Sequence, residues 1–258
     1  MRPARKFLVA FLAVFIVPLA AYAAIHAARD NRPQRWSEAN WASVGMLPAA
    51  SAERDARILI FSGRAGRWRG IFSVHSWIVL KPENAAQWAR YDVVGWGSPV
   101  RANGWAPDGR WFGDTPRVLV DLRGAQAVAL IPKIEVAIAD YPYRHSGDYR
   151  IWPGPNSNTF VATVLRAVPE LAVTLPPNAV GKDFRNGVYA GSTDSRTGVE
   201  LSLYGLLGIK AGWVEGIEFN VLGAVAGLDL RNPAVKLPGF GRIGVDDGTA
   251  IAAPVARR

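Results

Sequence analysis

The chain has no cysteine, only two methionines and only three histidines in 258 residues. Without thiols it is not a disulfide-stapled scaffold, a zinc ribbon or a thiol enzyme. A three-histidine metal site would have to recruit His26 from an apolar run together with His75 and His145, so no metal site is expected. The sequence also lacks G-x-x-x-x-G-K-S/T, a strand-borne G-x-G-x-x-G and H-E-x-x-H, so no nucleotide or other cofactor is implied. What it has in quantity is apolar mass. Half of the residues are hydrophobic and ten are tryptophan, enough for one globular domain that buries roughly 70% of its unfolded surface.

The net charge of +9 dissolves on inspection. Arg2, Arg5, Lys6, Arg29, Arg32 and Arg35 against Asp30 put +5 in the first 35 residues, leaving 24 basic and 20 acidic residues, or +4, for the rest. The largest local excess there is Arg64, Arg67 and Arg69. That is too short for a nucleic-acid face, and no nucleic-acid partner is expected.

Between Lys6 and Arg29 runs a 22-residue stretch, Phe7 to Ala28, without a formal charge. It is long enough to span hydrocarbon. Residues 1–28 therefore read as an uncleaved anchor. The alternative is a signal sequence, given Pro18 inside the run and the small-x-small triplet Ala21-Tyr22-Ala23, which would leave a secreted chain starting at Ala24. The positive charges ahead of the run hold the N-terminus inside and send the rest across. The expected location is a single pass of a bacterial inner membrane with the C-terminal domain in the periplasm. Nothing in the sequence speaks to oligomeric state.

Residues 29–56 are polar, without periodicity, and read as a loosely packed linker. Residues 57–185 form the core domain. Arg57–Phe61, Gly70–Leu80 and Arg90–Trp96 are apolar runs bounded by Gly, Pro or Asn and read as strands, as does 117–122. In the second run, residue parity puts Val74, Ile78 and Leu80 on one face and His75, Trp77 and Val79 on the other. Helical spacing follows in Ala125–Tyr141, where Pro132 predicts a restart of the helix, and again from Ser157 to Val168. In residues 186–258, Lys210, Glu215, Glu218 and Asp229 break the apolar run Val199–Leu230 too often for a second span, so a Gly-rich β-hairpin extension is expected.

One segment carries chemistry: Trp152-Pro153-Gly154-Pro155-Asn156-Ser157-Asn158-Thr159-Phe160. A Pro/Gly loop brings a hydroxyl to the first turn of an amphipathic helix, where unpaired N–H groups and the helix dipole favour negative charge. By spacing alone, Asn156, Ser157 or Asn158 serves equally well as an N-cap. Arg101 offers a carboxylate or phosphate clamp. The Trp set, Trp77 and Trp152 among it, offers either core packing or a platform for sugar rings or lipid chains.

Asn156-Ser157-Asn158-Thr159-Phe160, preceded by a strand bearing Val74-His75-Ser76-Trp77-Ile78, resembles the circularly permuted papain-like hydrolases, the NlpC-type, PPPDE and lecithin retinol acyltransferase group. In those proteins a histidine strand precedes a nucleophile helix, with cysteine where this chain has Ser157. The chain after the anchor also resembles a bacterial membrane-protein family known as domain of unknown function 3750, through residues 70–81, 91–101, 108–113, 131–134, 152–160 and 236–241.

The papain-like resemblance implies an α+β fold, with a small antiparallel sheet packed on the nucleophile-bearing helix. It also implies catalytic roles for Ser157 and His75. Asp92 on the next strand is the candidate orienting acid, or else a turn cap or a partner of Arg90 or Arg101, with Tyr91 its substitute, and Asn156, Asn158, Trp77, Trp152 and Arg101 are the candidate substrate contacts. A serine hydroxyl is far too weak an acid to ionise by helix dipole alone, so the imidazole would have to act as a true base. The backbone N–H of Ser157 is the expected oxyanion donor, with the amide of Asn158 or one from the His75 strand region as the second. The function so implied is an amide or ester hydrolase or acyltransferase acting on peptidoglycan peptide or lipid. The alternative is a catalytically inactive papain-like module that binds envelope ligands or partner proteins.

Overall fold

Apolar side chains crowd both faces of the central strands, and this decides the architecture. The computed structural model describes residues 3–28, 33 and 35–244. Residues 29–32 and 34 of the expected linker, and 245–258 of the expected C-terminal extension, lie outside the described residues. The chain is an α+β protein with two antiparallel sheets and an apolar N-terminal helix.

The first sheet has the order β4-β3-β2-β1-β5. Its strands are β1 (Arg57–Arg64), β2 (Val74–Lys81), β3 (Ala89–Val93), β4 (Val100–Ala102) and β5 (Arg117–Arg123). Every residue of β2 is buried, so the alternation of side chains sorts them between two cores rather than between core and water. Val74, Ile78 and Leu80 join Ile58, Ile60 and Val120 under the helices. Trp77 and Val79 join Leu59, Phe61 and Trp111 on the other face.

The stretch expected to be a loose linker is corrected here. Trp41 and Leu47 close the second face together with Trp88, Trp105 and Phe112, and the Trp36 ring packs tilted against Trp41 with centroids 3.8 Å apart. Ser43 Oγ donates to Asp108 at 2.5 Å. The indole rings bury large apolar areas that water would otherwise have to cover, and this holds a segment whose own secondary structure is two short 3-10 turns, Trp36–Glu38 and Ala50–Ala52.

Two helices cover the first face: α3 (Ala125–Ala139), with Leu130, Ile131, Ile134 and Ile138 inward, and α4 (Ser157–Ala167). Contrary to the expected restart, α3 continues through Pro132. The ring removes one hydrogen bond to the Val128 carbonyl, and the buried stripe on both sides holds the helix together.

The second sheet is a meander of seven consecutive strands: β6 (Val188–Ser192), β7 (Gly198–Leu203), β8 (Leu207–Gly212), β9 (Gly216–Val221), β10 (Ala224–Asp229), β11 (Ala234–Leu237) and β12 (Gly241–Gly244). Its polarity is inverted. Val199, Leu201, Leu203, Ile209, Phe219 and Leu228 are exposed, while Glu200, Lys210, Glu218 and Lys236 are buried. Lys210 and Glu218, two of the charges that broke the apolar run in sequence, stand in this inner row, matched by Lys182, Asp183, Arg185 and Asp194 from outside the strands. Representative contacts are Lys210–Asp183 at 2.7 Å, Lys236–Glu218 at 2.6 Å and Arg185–Asp194 at 2.6 Å. Arg166 of α4 reaches the same Asp194 at 2.8 Å and ties this network to the first layer.

At the N-terminus, α1 (Pro3–Phe11), a π-helical turn (Leu12–Ile16) and α2 (Val17–Ala27) make one 25-residue helix long and apolar enough to cross a membrane. The wider π turn lies just before Pro18, whose ring crowds the preceding turn. The helix end is built into the protein. Tyr22 packs edge-on against Phe240 at 5.1 Å, and the His26 ring bonds the Arg67 carbonyl through Nε2 at 3.0 Å.

Candidate functional site

β3 pairs only with residues 78–80 of β2, so the opening half of β2 has an edge left free by its neighbour. The start of α4 fills that edge. The Val74 N–H donates to the Asn178 carbonyl at 3.1 Å, and the Val74 carbonyl accepts from Asn158 Nδ2 at 2.8 Å. The first turn of the helix is thus strapped to the residue immediately before His75.

The helix start is itself tightly built. Asn156 is the N-cap, with Oδ1 accepting from the Asn158 N–H at 3.0 Å and the Thr159 N–H at 3.2 Å. Its Nδ2 donates to the carbonyls of Ile151 and Val180. Thr159 Oγ1 accepts from the Asn156 N–H, completing a capping box, and donates to the Gly181 carbonyl at 2.7 Å. Gly181 has φ +98, and a Cβ there would lie 2.3 Å from the Asn156 amide, so a side chain at 181 would push the cap out.

These contacts redefine two expected residues. Asn156 and Asn158 are buried and spent on structure rather than open to a substrate. The Asn158 N–H, expected as an oxyanion donor, is committed to the cap. Ser157 Oγ makes no hydrogen bond among the described residues, and it is not one of the sealed, partnerless polar atoms such as Ser76 Oγ and Asn158 Oδ1.

His75 lies on the tryptophan face of β2. Its ring lies flat against Trp111, with centroids 3.5 Å apart and planes 3° from parallel. Nε2 bonds Asp92 Oδ1 at 2.8 Å, and Arg90 clamps the same carboxylate through Nε at 2.7 Å and a second N–H at 3.0 Å. Arg90 and Asp92 are fully buried. The guanidinium also donates to the Ala106 carbonyl and sits 4.1 Å above the Trp77 ring.

Electrostatics follow from this burial. Desolvation pushes the Asp92 carboxyl up, but the Arg90 charge and the bonds from His75 and Arg90 outweigh it, so Asp92 sits below the ordinary carboxylate value. Desolvation also dominates at His75 and outweighs Asp92, holding the imidazole below its ordinary 6.5. At neutral pH Asp92 is therefore an anion and can only accept. His75 is neutral with its proton on Nε2, and the lone pair is on Nδ1, which bonds none of the described residues.

The two shifts give stability the same sign of pH dependence. A histidine depressed in the fold is protonated first in the unfolded chain, so its contribution is complete above 6.5 and is lost as pH falls toward the folded value. Asp92 follows at still lower pH, because its folded value lies below the ordinary one. Urea unfolding between pH 7.5 and 5 is expected to show a midpoint that falls on acidification. A midpoint that rises toward pH 5 would contradict the buried neutral imidazole.

The remaining expected residues are scattered. Trp77 is fully buried and stacked on Phe61, with its N–H on the Pro107 carbonyl, so it supports the site from within the core and touches no solvent. Arg101 holds its own loop through the carbonyls of Ser98 and Trp96. Trp152 is half exposed and donates to the Leu222 carbonyl at 2.9 Å. No hydrogen bond joins Ser157 to His75 among the described residues. Sequence reasoning offered an Arg90–Asp92 pair as an alternative to catalysis, and the structure forms that pair beside His75; it missed that Trp111 lies flat against the imidazole. The pair had a signal, since residues two apart on a strand share a face.

The fold and site thus define an α+β protein with an apolar N-terminal helix and a buried histidine–aspartate–arginine chain beside a capped helix start. The chain belongs to the family described as protein of unknown function, DUF3750, whose model matches residues 55–184. That match ends before β6, so the second sheet and the 236–241 segment lie outside it. Neither the curated proteins nor the solved structures yield a match to this chain.

Proposed function

We propose that this protein is a membrane-anchored acyl hydrolase or acyltransferase of the cell envelope, with Ser157 as nucleophile and His75 as its base. The observation that carries this reading is the Arg90–Asp92–His75 chain, which ends at the β2 edge to which Asn158 straps the helix opened by Ser157. The resemblance to permuted papain-like hydrolases supports the same assignment.

Asp92, kept ionised by Arg90, accepts the Nε2–H and fixes the tautomer whose lone pair is on Nδ1. Attack forms the Ser157 Oγ–carbonyl carbon bond while the hydroxyl proton passes to Nδ1. The Ser157 N–H and the positive end of α4 face the oxyanion. Collapse breaks the bond to the amine or alcohol, which leaves with that proton. Water or an acceptor hydroxyl then attacks the acyl-serine by the same route and restores Ser157.

The N-terminal helix supplies the anchor, with the domain on the periplasmic side. Tyr22 is packed into the fold against Phe240, which favours retention of the helix over cleavage after Ala23. The missing Ser157–His75 hydrogen bond favours a second reading, a non-catalytic groove for envelope ligands or partner proteins.

Labelling of the full chain in detergent with a fluorophosphonate separates the two readings. The enzyme reading predicts labelling of wild type, none of Ser157→Ala and strongly slowed labelling of His75→Ala. Labelling unchanged in Ser157→Ala would reject the nucleophile.

A further inference from the structure

Beside the site lies an apolar cavity of about 300 Å³ whose two walls come from different environments. One wall is Phe11, Phe15, Ile16 and Leu19 of the N-terminal helix, and the other includes Trp152, Val180, Leu222 and Val225. At about 30 Å³ per water-sized group it has room for roughly ten such groups, much of one acyl chain.

Lined by aliphatic and aromatic side chains, the cavity offers little to a water and much to a hydrocarbon. If the helix crosses a bilayer, its outer residues Leu8, Val9 and Leu12, all exposed, meet lipid, and the cavity is continuous with that phase along Ile16, itself 44% exposed. The inner wall is the backbone that builds the candidate site. The Asn178 carbonyl receives the Val74 N–H, and the Val180 carbonyl receives the side chains of both Asn156 and Asn158.

We infer that this cavity holds an acyl chain of a membrane lipid and brings it alongside the α4 start. The inference rests on the anchor reading and makes lipid acyl groups the substrate class of the Ser157 site. Binding itself needs neither the serine nor the histidine.

The test uses the full chain in phosphatidylethanolamine/phosphatidylglycerol vesicles carrying a trace of phospholipid with a diazirine at the end of one acyl chain, with the same diazirine on a free fatty acid as a parallel arm. After irradiation, adducts are mapped by mass spectrometry. Phospholipid adducts are expected on the cavity wall at Trp152, Val180 or Val225, equally in wild type and in Ser157→Ala. Filling the cavity by Val180→Trp is expected to reduce them roughly tenfold, while adducts on outward Leu8 and Leu12 persist.

Phospholipid adducts confined to Leu8, Val9 and Leu12 in wild type would overturn the inference without any reliance on the variant. Wall labelling by the free acid alone would overturn the membrane-lipid source. A mature chain starting at Ala24 would remove the helix wall and overturn it as well. Because Ser157→Ala retains cavity adducts on this account, failure of the cavity and failure of the nucleophile are read separately.

Discussion

Asp92→Asn is expected to cost about 3–5 kcal/mol of stability, because it strips a fully buried guanidinium of its counter-charge. The same substitution is expected to lower acyl-transfer turnover by roughly three to four orders of magnitude. The two effects have separate origins. In the wild type Arg90 gives two N–H groups to the carboxylate, which accepts a third bond from His75. An amide keeps the shape but offers one acceptor and one donor where three donors converge. At least one donor is then left facing another, and the Arg90 charge loses its partner in a fully buried site. The imidazole, no longer held with its proton on Nε2, populates the tautomer that cannot take a proton at Nδ1. Urea midpoints report the first loss, and turnover measured well below the unfolding transition reports the second. A midpoint within experimental error of wild type would show that the carboxylate is not the counter-charge of Arg90.

Glu218→Ala is expected to destabilise the second sheet by a similar amount, about 3–5 kcal/mol. Glu218 lies between Lys182, at 2.5 Å, and Lys236, at 2.6 Å, and all three side chains are buried. Burial pushes its carboxyl up, but the lysine charges win and hold it below the ordinary value, so it is ionised at neutral pH. Removing it strands two ammonium groups, with Asp183 and the Glu215 carbonyl as the remaining acceptors. A double replacement, Glu218→Leu with Lys236→Met, removes charge in equal numbers and is expected to recover most of the loss, because an apolar pair needs no desolvation of ions. Urea unfolding of the single and double variants tests this. A double variant less stable than the single one would contradict the argument.

How much of this was legible in the sequence follows from which forces are local. The apolar run Arg57–Phe61 and the amphipathic period from Ser157 to Val168 reflect burial along one element, and both stand in the structure as β1 and α4. Parity along β2 placed His75 with Trp77 and away from Val74, and the two cores divide on that line. Asn158 was not legible, because its acceptor, the Val74 carbonyl, is 84 residues away and becomes available only where β3 stops pairing. Trp36 and Trp41 sit in a segment without periodicity, and only the far side of a sheet not yet assembled gives them a place. In the meander, Lys210 and Glu218 read as breaks in an apolar run, with nothing in the sequence to say which way they face. They point inward with Glu200 because Lys182, Asp183 and Arg185 arrive from outside the strands to neutralise them. Pro132 read as a boundary because its local cost is visible in sequence while the buried stripe of α3 that offsets it is not.

The central proposal, that Ser157 is a nucleophile assisted by the His75 imidazole, is most directly tested by Ser157→Cys. The chain has no cysteine, so the new thiol is the sole one and its alkylation by iodoacetamide reports a single site. Beside an imidazole and a helix N-terminus its pKa should fall to about 7.5 or lower, against about 8.5 for a free thiol, and should climb back when His75→Ala is added. An alkylation midpoint at or above about 8.5, unmoved by His75→Ala, would contradict the account.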